Sequence, residues 1–380
     1  MGDATMTPKI ERFLAGRHPT PCLVVDLDVV RANYTTLKRE LPVADVYYAV
    51  KANPARPVLD LLVALGSYFD AASLQEVESC LAAGAKAGTI SYGNTVKKEA
   101  DIAGAFARGV ELYAFDSGEE LEKLARAAPG AKVYCRIITS NGGAQWPLSR
   151  KFGCELDMAR DLMIRARALG LDAYGLSFHV GSQQTDPMQW DVAIARAAMV
   201  FSDLRHHGIE IKMLNLGGGF PAHYRDDTPE FDAFADAIMK AMTRHFGNAL
   251  PEMIIEPGRA IVGDAGVLES EVVLVARRGY QDTMRWVYLD VGKFGGLAET
   301  MDEAIQYRIR TPHVGGRSSR VVIAGPTCDS VDTLYEKAGY KLPDALKAGD
   351  RVRLLSAGAY TTTYASVGFN GFPPPQEHYI

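Results

Sequence analysis

Cysteine is scarce and scattered. Cys22, Cys80, Cys135, Cys154 and Cys328 are five in 380 residues, odd in number and without metal-ligand spacing. That argues against a disulfide framework or a metal site and suits reduced thiols in a cytoplasmic protein. No stretch approaches the roughly 20 apolar residues of a membrane span, and the opening MGDATMTPKIERF has no apolar signal core, so neither a membrane partner nor a leader is expected. There is no basic run, and the net charge is -5, so a nucleic-acid partner is not expected either. Low-complexity segments and short solenoid repeats are missing as well. What remains is 47% hydrophobic and 23% charged, an ordinary globular balance in a chain long enough for one large domain and a smaller one.

Apolar or β-branched runs recur at 46–50, 67–70, 89–92, 112–115, 133–138, 174–179, 213–216 and 253–256, with amphipathic stretches between them at 73–83, 97–108, 117–127 and 156–169. A further helix is expected at 27–41, before the first strand. Ser73 and Glu76 make a capping-box pattern. Eight strands alternating with helices predict parallel strands joined by right-handed crossovers. Eight regular units favour closure into a (β/α)8 barrel over an open doubly wound sheet. After about Gly266 the helical period fades, and strand-like segments at 269–276, 284–289, 321–324 and 351–355 are joined by Gly- and Pro-rich turns. The expected class is α/β, with a barrel over 27–265 and a mostly β domain built discontinuously from 1–26 and 266–380, the run 22–26 joining it.

Barrel enzymes carry their reactive groups at the carboxyl ends of the strands. Here those ends hold Lys51, Asp70, Arg136, His179 with Ser182 beyond it, Gly217-Gly218-Gly219, and Glu256 followed by Gly258 and Arg259. Each also has a plain structural explanation. A lysine after a strand is usually a solvated charge, but after the apolar Tyr48-Ala49-Val50, burial would lower its pKa and ready it for a Schiff base. Three glycines can be only a turn, or they can let backbone N–H groups approach a phosphate. Glu256 and Arg259 can form a simple ion pair, or the carboxylate can hold a pyridine nitrogen protonated while the arginine meets phosphate. His179 can be a satisfied core histidine, although Gly181 and Ser182 suggest an open loop.

The segments YYAVKANP at 47–54, FDAASLQEVE at 69–78, SFHVGSQ at 177–183, NLGGGFP at 215–221, EPGRAIV at 256–262, GPTCDSVD at 325–332 and GAYTTTYASVGFNGF at 358–372 together resemble the fold-type III pyridoxal-phosphate decarboxylases, most closely the ornithine decarboxylases, over nearly the whole chain. The resemblance implies a barrel followed by a β domain, the cofactor pyridoxal 5′-phosphate, and a head-to-tail homodimer with shared active sites. It also implies roles. Lys51 matches the lysine that carries the cofactor, and His179 the ring that stacks on it. Ser182, Gly219, Gly258, Arg259 and Tyr360 match phosphate-binding positions, and Gly218 is assigned to cofactor binding with them. Glu256 matches the carboxylate at the pyridine nitrogen. Cys328 matches the thiol that reprotonates the product carbon from the neighbouring subunit, and Asp329 the acid that meets the substrate's distal amine. Asp70 and Arg136 match polar residues around the cofactor and its lysine, and Lys151 and Asp332 match an intersubunit ion pair. The stretch 294–303 departs from the eukaryotic pattern and aligns only across a one-residue gap; Asp302 is assigned there as the second substrate carboxylate, with Glu303 adjacent.

The expected reaction is decarboxylation of a basic amino acid, ornithine to putrescine for polyamine synthesis, with lysine or dual activity as the alternative, since one methylene is discriminated by only about 1–3 kcal/mol. An amino-acid racemase of the same fold typically places an arginine at the pyridine nitrogen, where this chain has Glu256. A catalytically dead decarboxylase-like regulator is expected to lose Lys51, Glu256, Arg259 and Cys328, all of which are present.

Overall fold

The computed structural model describes residues 5–139, 142–146 and 151–380. The chain forms two compact units: Arg31–Pro221 with Pro229–Gly258, and Met1–Val30 with Ala222–Thr228 and Arg259–Ile380.

In the first unit, eight parallel strands among the described residues close into a barrel: Ala44–Ala49, Tyr68–Ala71, Ile90–Tyr92, Leu112–Phe115, Lys132–Arg136, Asp172–Ser177, Met213–Asn215 and Glu252–Ile255. Closure is direct, because the eighth strand pairs in parallel with the first, Ile255 opposite Val46. The strands are short and almost wholly buried, as expected where helices cover the outside of a parallel sheet. Each expected strand is present, with ends displaced by at most two residues.

Local chemistry sets the helix starts. Ser73 Oγ accepts from Glu76 N (3.2 Å), the N-cap half of the anticipated capping box, and Glu76 Oε2 reaches one residue further back to accept from Ala72 N (2.7 Å). Ser117 caps Gly118–Ala127 in the same way. Lys97, expected to open a helix, does not: the helix begins at Glu99. Lys97 is instead buried, ion-paired with Glu120 (2.9 Å) and donating to the carbonyl of Ala114 (2.6 Å). Burial lowers its pKa to about 8 despite the Glu120 carboxylate. The pair ties the helix Gly118–Ala127 to the fourth barrel strand.

The second unit is a sheet of nine strands among the described residues. Its long strand Gly266–Ala276 pairs antiparallel with Arg351–Leu355 along its first half and with Arg285–Leu289 beyond an irregularity at Val272/Leu274. Cys22–Val25 joins this sheet as anticipated, antiparallel to Gly266–Ala276 (Cys22 opposite Glu269) and parallel to Gln376–Tyr379. The helix Pro8–Ala15 starts with Thr7 as N-cap and packs Ile10 and Leu14 onto Cys22, Val24, Val267 and Leu355.

Candidate functional site

The barrel interior is layered by strand alternation. Toward the amino ends of the strands, Tyr47, Tyr68, Leu112, Ala114, Tyr134, Tyr174, Met213 and Ile254 pack together. Side chains two positions further along a strand point to the same side. Asp70 follows Tyr68 in this way, as Arg136 follows Tyr134, Asn215 follows Met213 and Glu256 follows Ile254. The polar groups at the carboxyl ends are thus directed into the barrel by the register that builds its apolar floor.

Lys51 lies in the short turn Val50–Ala52 after the first strand, and its Nζ is 3.1 Å from Asp70 Oδ2. The lysine is not buried, however: 44% of its side chain is exposed against 4% for Asp70. Burial is therefore not what prepares this amine; the neighbouring carboxylate is its structural partner. Asp70 Oδ1 is buried and accepts no hydrogen bond among the described residues.

Glu256 Oε1 accepts from Asn215 Nδ2 (2.5 Å), and Asn215 Oδ1 accepts from Gly217 N (2.9 Å). One amide thus fixes both the carboxylate and the start of the glycine loop. Asn215 is the residue that motif reasoning missed, although its place at the end of the seventh strand, before three glycines, is the signal that marks it. Burial, reinforced by the negative charge of Asp70, raises the Glu256 pKa to about 7, while Lys51, Asn215 and Arg136 pull it down. His179 accepts from Gly181 N at Nδ1 (3.0 Å). Burial, with the positive charges of Arg136 and Lys51, holds its pKa well below the usual range. It is a neutral ring, suited to stacking on another flat ring and unsuited to carrying charge.

The glycines pack against backbone. A Cβ on Gly218 would lie 2.5 Å from the carbonyl of Glu256, and one on Gly219, whose φ is +107°, would lie 2.4 Å from the carbonyl of Gly181. The loops after strands six, seven and eight therefore interlock only without side chains. Gln184, beyond Ser182, completes the lock by donating from its backbone to Gly219 O (2.8 Å). Among the described residues, the N–H groups of Gly218, Gly219 and Gly258 donate to no acceptor. Buried backbone donors are rarely left so, and together they suit an anion. Unpaired donors, a neutral ring, a half-buried carboxylate and a reachable lysine on one rim fit a phosphorylated pyridine.

The second unit holds the other assigned residues. Arg259 is buried. It donates to Glu299 through both terminal nitrogens (2.8 and 2.5 Å) and to Tyr224 Oη (2.6 Å), and its guanidinium lies 4.9 Å from the Tyr360 ring. The ion pair considered between Glu256 and Arg259 is not the one formed: Arg259 pairs with Glu299, which no motif singled out. Cys328 and Asp329 sit on one exposed loop. Asn370 Oδ1 accepts from Cys328 N (2.8 Å). The buried Asp332 accepts from Lys293 N (2.7 Å), Thr327 N (3.1 Å) and Thr327 Oγ1 (2.8 Å). Cys328 is exposed, whereas the other four cysteines are buried and all five are free. In the stretch 294–303, Glu303 is occupied, accepting from Glu336 N (2.8 Å) and Lys337 N (2.7 Å). Asp302 is exposed, with φ +53°. No helix among the described residues is long and apolar enough to cross a membrane.

Comparison with known proteins agrees with this geometry. Residues 27–263 match the pyridoxal-binding domain of the pyridoxal-dependent decarboxylases. The lysine/ornithine decarboxylase of Selenomonas ruminantium is 35% identical over 376 residues, covering 98% of this chain and 92% of that protein. The lysine/ornithine decarboxylase of Vibrio vulnificus, solved with cadaverine, superposes with a TM-score of 0.87 at 31% identity, covering 99% of each chain. Antizyme inhibitor 2 of Xenopus laevis is 34% identical, covering 94% of this chain and 80% of that protein. With a match spanning the whole barrel and relatives spanning the whole chain, this protein belongs to the pyridoxal-dependent decarboxylases, and its cofactor is pyridoxal 5′-phosphate.

Proposed function

We propose that this enzyme decarboxylates L-ornithine, with L-lysine as a second substrate, and that it works as a homodimer with shared sites. The observation that carries the proposal is the barrel rim, where Lys51–Asp70, Glu256–Asn215 and the unpaired N–H groups of Gly218, Gly219 and Gly258 converge. Lys51 is the amine that binds the cofactor covalently, with Asp70 beside it. Ser182 and the glycines Gly218, Gly219 and Gly258 would hold the phosphate, a role that Arg259 and Tyr360 match by resemblance. His179 would lie against the cofactor's ring, and Arg136 lines the same interior. When bound, the cofactor's ring accepts the electron pair released as carbon dioxide leaves. Glu256, as a carboxylate oriented by Asn215, holds a proton on the pyridine nitrogen and so favours that transfer; pairing with a cation returns its own pKa toward the ordinary range. Cys328 delivers a proton to the product carbon. Asp329 and Asp302 bind the distal ammonium, a role for which Glu303 is the poorer candidate because two backbone donors already occupy its carboxylate. Free cysteines support a cytoplasmic setting, where the putrescine formed would enter polyamine synthesis.

The likeness to antizyme inhibitor 2 favours one rival, a decarboxylase-like binding protein. Against it, Lys51, Glu256, Arg259 and Cys328 are all retained. Carbon dioxide release, measured side by side on ornithine, lysine, arginine and diaminopimelate, tests the proposal. Turnover confined to arginine or diaminopimelate would overturn the substrate assignment. A purified protein that takes up no cofactor and releases no carbon dioxide would favour the rival.

A further inference from the structure

The strand unit carries a groove of about 860 Å³ that none of the roles above uses. Its floor is one face of the sheet. Arg310 lies directly opposite Arg353, which lies directly opposite Glu269, and Arg351 lies opposite Glu271. Directly opposed residues share a face, so three arginines and two glutamates point into one trough. Glu269 is buried, and its carboxylate accepts from both Arg351 Nη1 (2.8 Å) and Arg353 Nε (3.1 Å). Two guanidinia therefore share one carboxylate. Arg17 and Lys341 add charge at the rim. Among the described residues, Arg17, Arg310 and Lys341 take part in no ion pair. Against these five cations the groove holds three carboxylates, those of Glu269, Glu271 and Asp350. Asp350 is already bound to His313 (2.7 Å). The trough is thus locally positive in a chain whose net charge is -5.

Like charges directly opposite on neighbouring strands are destabilising, and of this pair only Arg353 has a carboxylate partner among the described residues. Such an arrangement is the one an anion relieves. Guanidinium forks match carboxylate and phosphate groups bidentately, and the groove has the volume of small-molecule sites. We propose that it binds a small organic polyanion bearing at least two phosphate or carboxylate groups, independently of the decarboxylation reaction.

The test uses the cofactor-loaded enzyme, so that the cofactor's own phosphate site is filled. Inorganic pyrophosphate and citrate are titrated calorimetrically at fixed ionic strength, with acetate as the monoanion control, and melting temperature is followed in parallel. Expected is saturable binding of one polyanion per chain with a rise in melting temperature. A preference for pyrophosphate assigns a phosphate-bearing ligand, and a preference for citrate assigns a polycarboxylate. Arg310→Gln should weaken binding at least about tenfold and, by removing the like-charge pair, raise the melting temperature of the unliganded protein. Arg353→Gln should also weaken binding. Arg39→Gln, at the exposed Arg39–Glu40 pair of the barrel unit, should change neither. Absence of saturable binding, an equal effect from acetate, affinity unchanged in both groove variants, or a lower unliganded melting temperature in Arg310→Gln would each overturn the assignment.

Discussion

Glu256→Gln should make the cofactor-free protein more stable at neutral and alkaline pH while impairing the enzyme. The folded chain keeps the Glu256 proton up to about pH 7, because burial and the charge of Asp70 oppose ionisation. The unfolded chain releases it near the ordinary carboxylate value of 4.5. Folding therefore binds extra proton across that window, and the carboxylate's contribution to stability falls as pH rises through it. A shift of this size corresponds to roughly 3 kcal/mol when complete, and since Glu256 is only partly buried by surface area, about 2 kcal/mol is the better expectation. Glutamine keeps the acceptor for Asn215 Nδ2 and cannot ionise, so it removes the cost. Thermal melts of cofactor-free wild type and variant, taken from pH 4.5 to 8.5, should start together and diverge. Above pH 7 the variant should lead by about 2–4 °C for a chain of this size. When loaded with cofactor, the same variant should lose kcat on the order of a hundredfold with little change in KM, as expected when a charge partner acts in the transition state. A constant offset at all pH values, or a variant less stable at pH 8 than wild type, would refute the assignment of a strained carboxylate at this position.

Lys51→Ala should abolish the visible absorbance of the lysine-bound cofactor, and borohydride reduction of wild type followed by peptide mapping should label Lys51; a label on another lysine refutes the assignment. Asp302→Ala should raise KM for diamino acids severalfold, about 1–2 kcal/mol of lost charge-assisted hydrogen bonding. Glu303→Ala should instead lower the melting temperature, because it strands the amides of Glu336 and Lys337, and steady-state kinetics beside thermal melts separate the two. Glu299→Ala should destabilise the fold by about 3–5 kcal/mol, since it leaves the buried Arg259 without its carboxylate, and denaturant titration measures this. Lys51→Ala and Cys328→Ala proteins, each inactive, should recover about a quarter of wild-type activity after random subunit exchange, because each hybrid dimer regains one intact site; no recovery after proven exchange places Cys328 within its own chain's site.

Some of this protein is written in short-range pattern. Eight apolar runs at helix-strand spacing specify the barrel strands because burial on both faces demands continuous β-branched and aromatic residues. Ser73 and Glu76 mark a helix start because the capping contacts close within four residues. The same period that packs Tyr68, Tyr134, Met213 and Ile254 together carries Asp70, Arg136, Asn215 and Glu256 to the rim, so the position of these polar groups follows from strand register alone. Other features depend on partners distant in sequence. No local pattern pairs Arg259 with Glu299, forty residues later, or gives Glu303 to the amides at 336 and 337 and leaves Asp302 exposed. Lys97 reads as the opening of a helix until the buried Glu120 claims it. Lys51 reads as a buried lysine from its apolar neighbours, yet the turn after Ala49 lifts its amine to the rim. Gln376–Tyr379 has little strand character and forms one because Cys22–Val25 offers it an edge. Arg310, Arg351, Arg353 and Glu269 share a face only because the strands that carry them become neighbours. Charge and hydrogen-bond partnership across a sheet or between loops are properties of the assembled chain, and there the tertiary structure alone decides.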